Sequence, residues 1–416
     1  MPSILDFHDT SLGGNIVAMP SSAAPSPLPV RVLVLLCVLD HVALSGARLA
    51  LVEQGLHLGV RSLALGLMFA PFALASTLGA LPLGRWVDRI GARRPALAGM
   101  ALTTLALGAC ALWPTPAVLA AAAAAIGLGY TASLIALQAE IARDRDEPAR
   151  RAGFAAFATG TAASSGFGPF LAGQLMSHAG ATLAFGVLAG VSLAALAPGA
   201  WCAGRLQSLA DGGPGATRPV APASASLRGL GGLRRLLLAD LGMALAWNAN
   251  GFVLPIVAHQ HGWPADVAGN LLGCFGAAVL VVRALPHAWR APGGDWGAIT
   301  RALLASGAVL ALLPLLASMG TQTALQVLLG CGLGSSLPSV MTLVEARTPA
   351  GRRAEVLGLR QAVLAFGAAT TPTAVGALVA AAGVVPALAA LGGALLVLGS
   401  TIAPTAARRG QPRATS

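Results

Sequence analysis

The sequence predicts an all-α membrane protein with twelve transmembrane helices in two pseudo-symmetric six-helix bundles. Three observations carry this. Of the 416 residues, 56% are hydrophobic and only 10% charged, against about 25% charged in a soluble domain, so the chain cannot coat a water-facing surface. Apolar runs of bilayer length, about 20 residues each, recur from end to end. They are continuously apolar and do not alternate with period two, which excludes a membrane barrel. Finally, the second half repeats the first in one ungapped register. Gly127 and Gly330 lie 203 positions apart, and the same offset relates Gly129 to Gly332, Arg150 to Arg353, Pro169 to Pro372, Gly173 to Gly376 and Gly180 to Gly383. A repeat spaced by an even number of spans is parallel, related by an axis along the membrane normal.

Residues 1–28 are polar and Pro/Ser-rich, with no apolar core of the kind a cleavable signal peptide needs. They are expected to form a tail, with Met19 as an alternative start. The N-terminal bundle falls at 29–203, with spans near 30–52, 62–83, 95–112, 117–139, 154–176 and 183–201. Trp113-Pro-Thr-Pro116 parts the third from the fourth, because proline ends one helix and suits the start of the next. Residues 204–235 are basic and rich in Gly, Pro, Ala and Ser, which makes them a linker. The C-terminal bundle falls at 236–404, with spans near 236–258, 267–285, 299–317, 323–344, 356–380 and 385–403, and 405–416 form a second tail. Trp86, Trp113, Trp201, Trp263, Trp289 and Trp296 fall at span ends, where an interfacial belt belongs.

The net charge is +11, and all 26 basic residues are arginine. In a soluble protein this balance would point to nucleic acid. Here the arginines sit beside spans, so no nucleic-acid partner is expected. Alternating the turns puts Arg85, Arg89, Arg93, Arg94, Arg150, Arg151, Arg234, Arg235 and Arg347 on one side, and little beyond Arg61 on the other. The arginine side is cytoplasmic by the positive-inside rule, so both termini are expected there too. The five cysteines stand singly, without metal-ligand spacing. With no lysine, the usual phosphate-binding Gly-x-x-x-x-Gly-Lys loop is absent. No enzyme activity, cofactor or metal is expected, and the chain is expected to act as a monomer in the lipid bilayer.

Between the second and third spans lies Gly84-Arg-Trp-Val-Asp88-Arg89-Ile-Gly91-Ala-Arg93-Arg94, which reads as a short charged turn. The fifth span holds Gly168-Pro169-Phe-Leu-Ala-Gly173, and the tenth begins a stretch Gly330-Cys-Gly-Leu-Gly334 running on to Gly358-Leu-Arg360. On these residues the chain resembles the major facilitator superfamily of secondary transporters, over about residues 30–403. The resemblance implies that Gly84, Asp88, Arg89, Gly91, Arg93 and Arg94 form a gate, in which Asp88 meets the start of the eleventh helix near Val356. Glu140 would pair with Arg93 or Arg94. Gly168, Pro169 and Gly173 correspond to an antiporter-type kink. Two departures stand out: the basic residue usual after the second glycine of the loop is Ala92, and the arginine usual four residues before the Gly-x-Gly of the fourth span is Ala123.

Charges inside spans are the sharpest remaining signal. One at the bilayer centre costs about 2.5–3.5 kcal/mol on insertion scales, so it should face the bundle interior. The first span carries Asp40, His41 and Arg48, with Ser45 between. His41 and Arg48, seven residues apart, share nearly one face, and Asp40 is turned about 100° from His41. Asp40 is a candidate proton carrier, and His41 changes charge near neutral pH unaided. Arg48 fits an anionic substrate. A structural Asp–Arg or Asp–His pair, or an arginine snorkelling to the interface, accounts for the same residues. Trp247, Asn248 and Asn250 in the seventh span and Tyr130 and Gln138 in the fourth are candidate cavity residues, and buried amides also serve as helix–helix glue. Asp240 is expected to pair locally with Arg234 or Arg235. The expected function is proton-coupled export of a small-molecule substrate by alternating access. Proton-coupled uptake of a small metabolite, or a non-transporting sensor on the same fold, fits the same pattern.

Overall fold

A computed structural model describes residues 30–142, 147–201, 231–284, 293–348 and 353–402. The expected tails at 1–28 and 405–416 and nearly all of the linker at 204–235 lie outside the described residues. Among those residues the chain is helical, without strands. The helices are α1 (Val30–His57), α2 (Ser62–Ile90), α3 (Arg93–Leu112) and α4 (Pro116–Ala142). Glu147–Trp201 follows, which Gly180 (φ 80, ψ 170) divides into α5 (147–179) and α6 (181–201). Then come α7 (Gly231–Gln260), α8 (Ala265–Ala284), α9 (Gly294–Leu312), α10 (Met319–Arg347), α11 (Arg353–Ala382) and α12 (Val384–Ile402). Among the described residues ten helical stretches are long and apolar enough to cross a membrane, and one of them, Pro148–Ala197, holds both α5 and α6. Helices are the natural outcome for such runs, since in hydrocarbon each backbone N–H and C=O must be satisfied within the segment.

The sequence repeat is written into the backbone. Gly59 and Gly262, Gly91 and Gly294, and Gly180 and Gly383 all have positive φ, between 65° and 88°. Each pair is 203 apart and sits where one helix gives way to the next, a conformation that favours glycine. Helix starts follow the same spacing: Ser62 and Ala265, Pro116 and Met319.

Packing repeats as well. Gly127 of α4 lies against the Phe72 carbonyl of α2, and Gly330 of α10 lies against the Phe275 carbonyl of α8. The first six helices meet the last six where α2 runs along α11, α5 along α8 and α1 along α7. A side chain on Gly66 would meet the Pro372 carbonyl oxygen at 2.5 Å, and one on Gly269 would meet that of Pro169 at 2.7 Å. Gly376 faces the Ser62 carbonyl as Gly173 faces that of Ala265. Small residues let helix backbones approach this closely in lipid, where van der Waals packing replaces the hydrophobic drive. Polar contacts finish the seam: Thr373 Oγ1 donates to Gly66 O at 3.1 Å, and Gln174 Nε2 donates to Asn270 Oδ1 at 2.9 Å. Ser177 Oγ donates to Asp266 Oδ1 and accepts from Asp266 N. The core runs along α1 and α7, where Ala43, Ala47, Leu51, Ala246, Ala249 and Val253 are fully buried. Leu105 of α3 and Val397 of α12 stand outside.

One element differs from expectation. The charged stretch at Gly84 is not a turn. α2 continues through Arg85, Asp88 and Arg89 to Ile90, and the reversal takes only Gly91 and Ala92. Nothing in Arg-Trp-Val-Asp-Arg breaks a helix, so α2 runs on beyond its apolar part until Gly91 (φ 83) turns the chain, with Gly91 N donating to Val87 O at 2.9 Å. Gly84 therefore lies within the helix, with open space where a side chain would be, and permits no close helix contact.

Candidate functional site

A cavity of about 90 Å³ lies where α1 and α5 face α7 and α8, with His41, Ser45, Arg48, Ser165, Trp247 and Asn250 among its walls. Arg48 reaches across from α1 to α7, where its Nη2 donates to Asn248 Oδ1 at 3.0 Å. Asn248 Nδ2 donates to Ala244 O at 2.8 Å, one helical turn back, which turns the amide oxygen toward the guanidinium. Arg48 also stands over the ring of Phe72 at 5.8 Å. Among the described residues, no carboxylate lies within ion-pair distance of it.

His41 is tied to α5. Its Nδ1 lies 3.0 Å from Ser164 Oγ, and that hydroxyl donates to Gly160 O at 2.6 Å. With the serine proton committed there, Ser164 accepts and His41 Nδ1 carries the hydrogen, which leaves Nε2 available. Ser45 Oγ, one turn on, bonds both His41 O and Ser164 O at 2.8 Å. Gly168 makes this closeness feasible, because any side chain on it would strike Ser45 and the Val42 carbonyl.

Asp40 points elsewhere. It is 1% exposed and accepts a hydrogen bond from Ser133 Oγ of α4, while Oδ1 has no partner among the described residues. It does not line the cavity. Tyr130 packs against His41, rings 5.5 Å apart, and Gln138 sits half-buried two turns further along α4. Neither is a cavity wall.

On α7, Trp247 meets Phe275 of α8 edge to face at 4.7 Å. Asn250 exchanges two hydrogen bonds with Gln326 of α10, at 2.9 and 3.0 Å. The expected local pairing of Asp240 is not formed. Asp240 pairs with Arg360 of α11, with Nε–Oδ2 at 2.7 Å, because Arg234 and Arg235 lie six and five residues back, off the face that residues three or four apart share. Arg235 instead donates to Thr401 O and Ile402 O and stands over Trp296.

The gate residues sit at the opposite end from the glycine seam. Asp88, Arg89, Arg93 and Arg94 are exposed, and none has a hydrogen bond or ion pair among the described residues. The pairing of Glu140 with Arg93 or Arg94 is accordingly absent: Glu140 is buried in α4, at 9% exposure, while both arginines face outward. Ala92 is buried at 1% exposure, so the position takes no part in a charge contact. Gly168, Pro169 and Gly173 pack α5 against α1 and α8, and Pro169 lines the cavity.

Ser164, Ser165, Gln326 and Phe275 were missed from sequence, as was the partner of Asp240. So was Glu53, buried in α1 with Oε1 unbonded among the described residues. Polar type inside an apolar run was the only signal for the serines, for Gln326 and for Glu53. Among the described residues no three His, Cys, Asp or Glu side chains converge to hold a metal.

The model of the family described as Major Facilitator Superfamily matches residues 33–322. No curated protein matches the chain in sequence. Among solved structures, a variant of the peptide transporter POT in complex with sulfate superposes with a TM-score of 0.72 at 17% identity, covering 93% of this chain and 98% of that one. The human organic anion transporter MFSD10 (TETRAN) superposes with a TM-score of 0.62 at 19% identity, covering 90% and 99%.

Proposed function

Because the chain belongs to the major facilitator superfamily, we propose that it is a secondary active transporter that exports a small organic solute in exchange for protons, by alternating access. Its twelve spanning helices form two bundles, 29–203 and 236–404, joined by a cytoplasmic linker at 204–235. Both termini lie in the cytoplasm of a bacterial cell, and the monomer is the working unit. The observation that carries the reading is the bond from Arg48 to Asn248, inside a cavity walled by both halves of the chain. A solute held there touches both halves, so it has different contacts, and hence different affinity, in each arrangement of them.

Asp40 serves as the proton carrier. It is buried, one oxygen is held by Ser133, the other has no partner among the described residues, and it is next in sequence to His41, which lines the cavity that Asp40 itself does not. Gly84, Asp88, Arg89, Gly91, Arg93, Arg94 and Glu140 belong to the latch of the opposite state, in which Asp88 meets the start of α11. The close packing of Gly168, Pro169 and Gly173 supports exchange over uptake, since a tight α5 seam blocks a leak path.

The test uses inverted membrane vesicles with an imposed pH gradient and solutes chosen by thermal-shift screening. Accumulation that a protonophore abolishes, and that Asp40→Asn removes at unchanged expression, is the expected result. Accumulation untouched by Asp40→Asn would remove the proton role. Alkalinisation outside intact cells on adding solute would mean uptake, and no flux in either direction would mean a sensor.

A further inference from the structure

The cavity makes the choice between anion and cation, and this inference rests on the transport reading above. Arg48 brings a permanent positive charge to its wall, and no Asp or Glu lines it. Glu53, five residues on from Arg48, is not on the wall, and Asp40, eight residues back, faces α4 and Ser133 instead. A guanidinium withdrawn from water without a counter-charge is costly, and one amide oxygen plus a ring face offset only part of that cost. Four of its five N–H groups remain after the bond to Asn248.

Of the other polar groups on the wall, Asn250 exchanges two hydrogen bonds with Gln326, Ser45 donates to backbone carbonyls, Ser165 donates to Thr161 O at 2.8 Å, and His41 keeps Nε2 as an uncharged acceptor beside the cation. The remaining walls are apolar or aromatic: Leu44, Leu49, Leu272, Trp247 and Phe275. One cation on a greasy wall matches one anionic head on a greasy body. We propose that the transported solute is a compact monoanion with an apolar or aromatic body, typically a carboxylate, whose head binds Arg48. Asn248 is a positioning residue that holds Arg48 from the other half of the chain.

The experiment follows the melting temperature of the full-length purified protein with benzoate and hexanoate, against benzamide (neutral), benzylamine (cation) and succinate (dianion). Wild type is compared with Arg48→Gln and Arg48→Lys. Benzoate or hexanoate should stabilise the wild type more than the other three. Arg48→Gln should weaken that binding about tenfold or more, as the loss of one charge-assisted hydrogen bond does. Arg48→Lys should keep part of it, since the charge remains but the planar fork is lost. Without ligand, Arg48→Gln should melt no lower than the wild type, because it removes an uncompensated charge, so a folding defect is distinguishable from a binding defect.

Equal stabilisation by benzamide or benzylamine, no shift with either carboxylate, or a benzoate shift that survives Arg48→Gln overturns the proposal. Proteoliposome flux separates it from the transport reading. Benzoate binding through Arg48 without flux sinks transport and leaves the anion site standing. Flux of benzylamine in place of benzoate sinks the anion site and leaves transport standing.

Discussion

Replacing Asp240 by asparagine tests the best-defined buried ion pair described here. Asp240 and Arg360 are each about 6–7% exposed, with Nε–Oδ2 at 2.7 Å and Nη2–Oδ1 at 3.4 Å, and they join α7 to α11. Two unit charges about 4 Å apart attract by about 4 kcal/mol at the effective dielectric that suits protein sites. Removing one partner of such a pair costs about 3–5 kcal/mol, mostly because the survivor is left buried and unpaired. The two single variants should differ. A carboxylate can shed its charge by taking up a proton, whereas a guanidinium cannot. Asp240→Asn, which strands the arginine, is therefore expected near the top of that range and Arg360→Gln nearer the bottom. Joining them in Asp240→Asn/Arg360→Gln should recover much of the loss, giving a coupling energy of about 2 kcal/mol or more in a double-mutant cycle. The assay is reversible unfolding in mixed micelles, followed by tryptophan fluorescence, for the wild type and all three variants. Additive losses, or a mild Asp240→Asn, would refute the argument that the pair is both buried and coupled.

The other expectations concern the seam, the latch and two amide or hydroxyl partners. Gly173→Leu and its repeat mate Gly376→Leu should each overpack the seam by about 1–3 kcal/mol and cut transport strongly, since a side chain there meets a carbonyl oxygen at 2.7 or 2.6 Å; normal flux in either would contradict the close approach. Asp88→Asn should leave the melting temperature unchanged, because Asp88 holds no partner among the described residues, yet reduce flux; a lowered melting temperature with full flux would be the reverse of the latch idea. Ser133→Ala should cost about 1–3 kcal/mol by taking the hydroxyl away from the buried Asp40 Oδ2, measurable by the same unfolding assay. Asn250→Ala should cost a similar amount by stranding Gln326, which is fully buried, whereas Asn250→Leu with Gln326→Leu should regain stability.

Residues whose backbone contacts demand a particular type were legible in the sequence. Pro169, Gly173, Pro372 and Gly376 announced the repeat because the seam tolerates nothing larger at the glycines. Arg48 and Asp40 were visible because charge inside an apolar run is costly wherever it points. The run could not tell which way each pointed, and so Asp40, Tyr130 and Gln138 were grouped with a cavity they do not line. Ser164 and Ser165 gave little away, since a helical serine can satisfy its hydroxyl on a carbonyl four residues back, as both do. Arg360 lies 120 positions beyond Asp240, and only folding brings them together. The end of α2 was misjudged for a different reason: apolar length marks where lipid stops, and a helix may continue past it as long as nothing breaks it.

The seam has an ancestral consequence. The partner of the α2 face at Ser62 and Gly66 is the α11 face at Pro372 and Gly376, and the partner of the α8 face at Ala265 and Gly269 is the α5 face at Pro169 and Gly173. At the common offset these are one contact made twice with the roles exchanged. Each half thus carries both the knob and its socket, which defines an isologous, self-complementary surface. A chain of half this length would already hold everything needed to pair with a copy of itself, and fusing two such copies would fix their order without inventing a new interface.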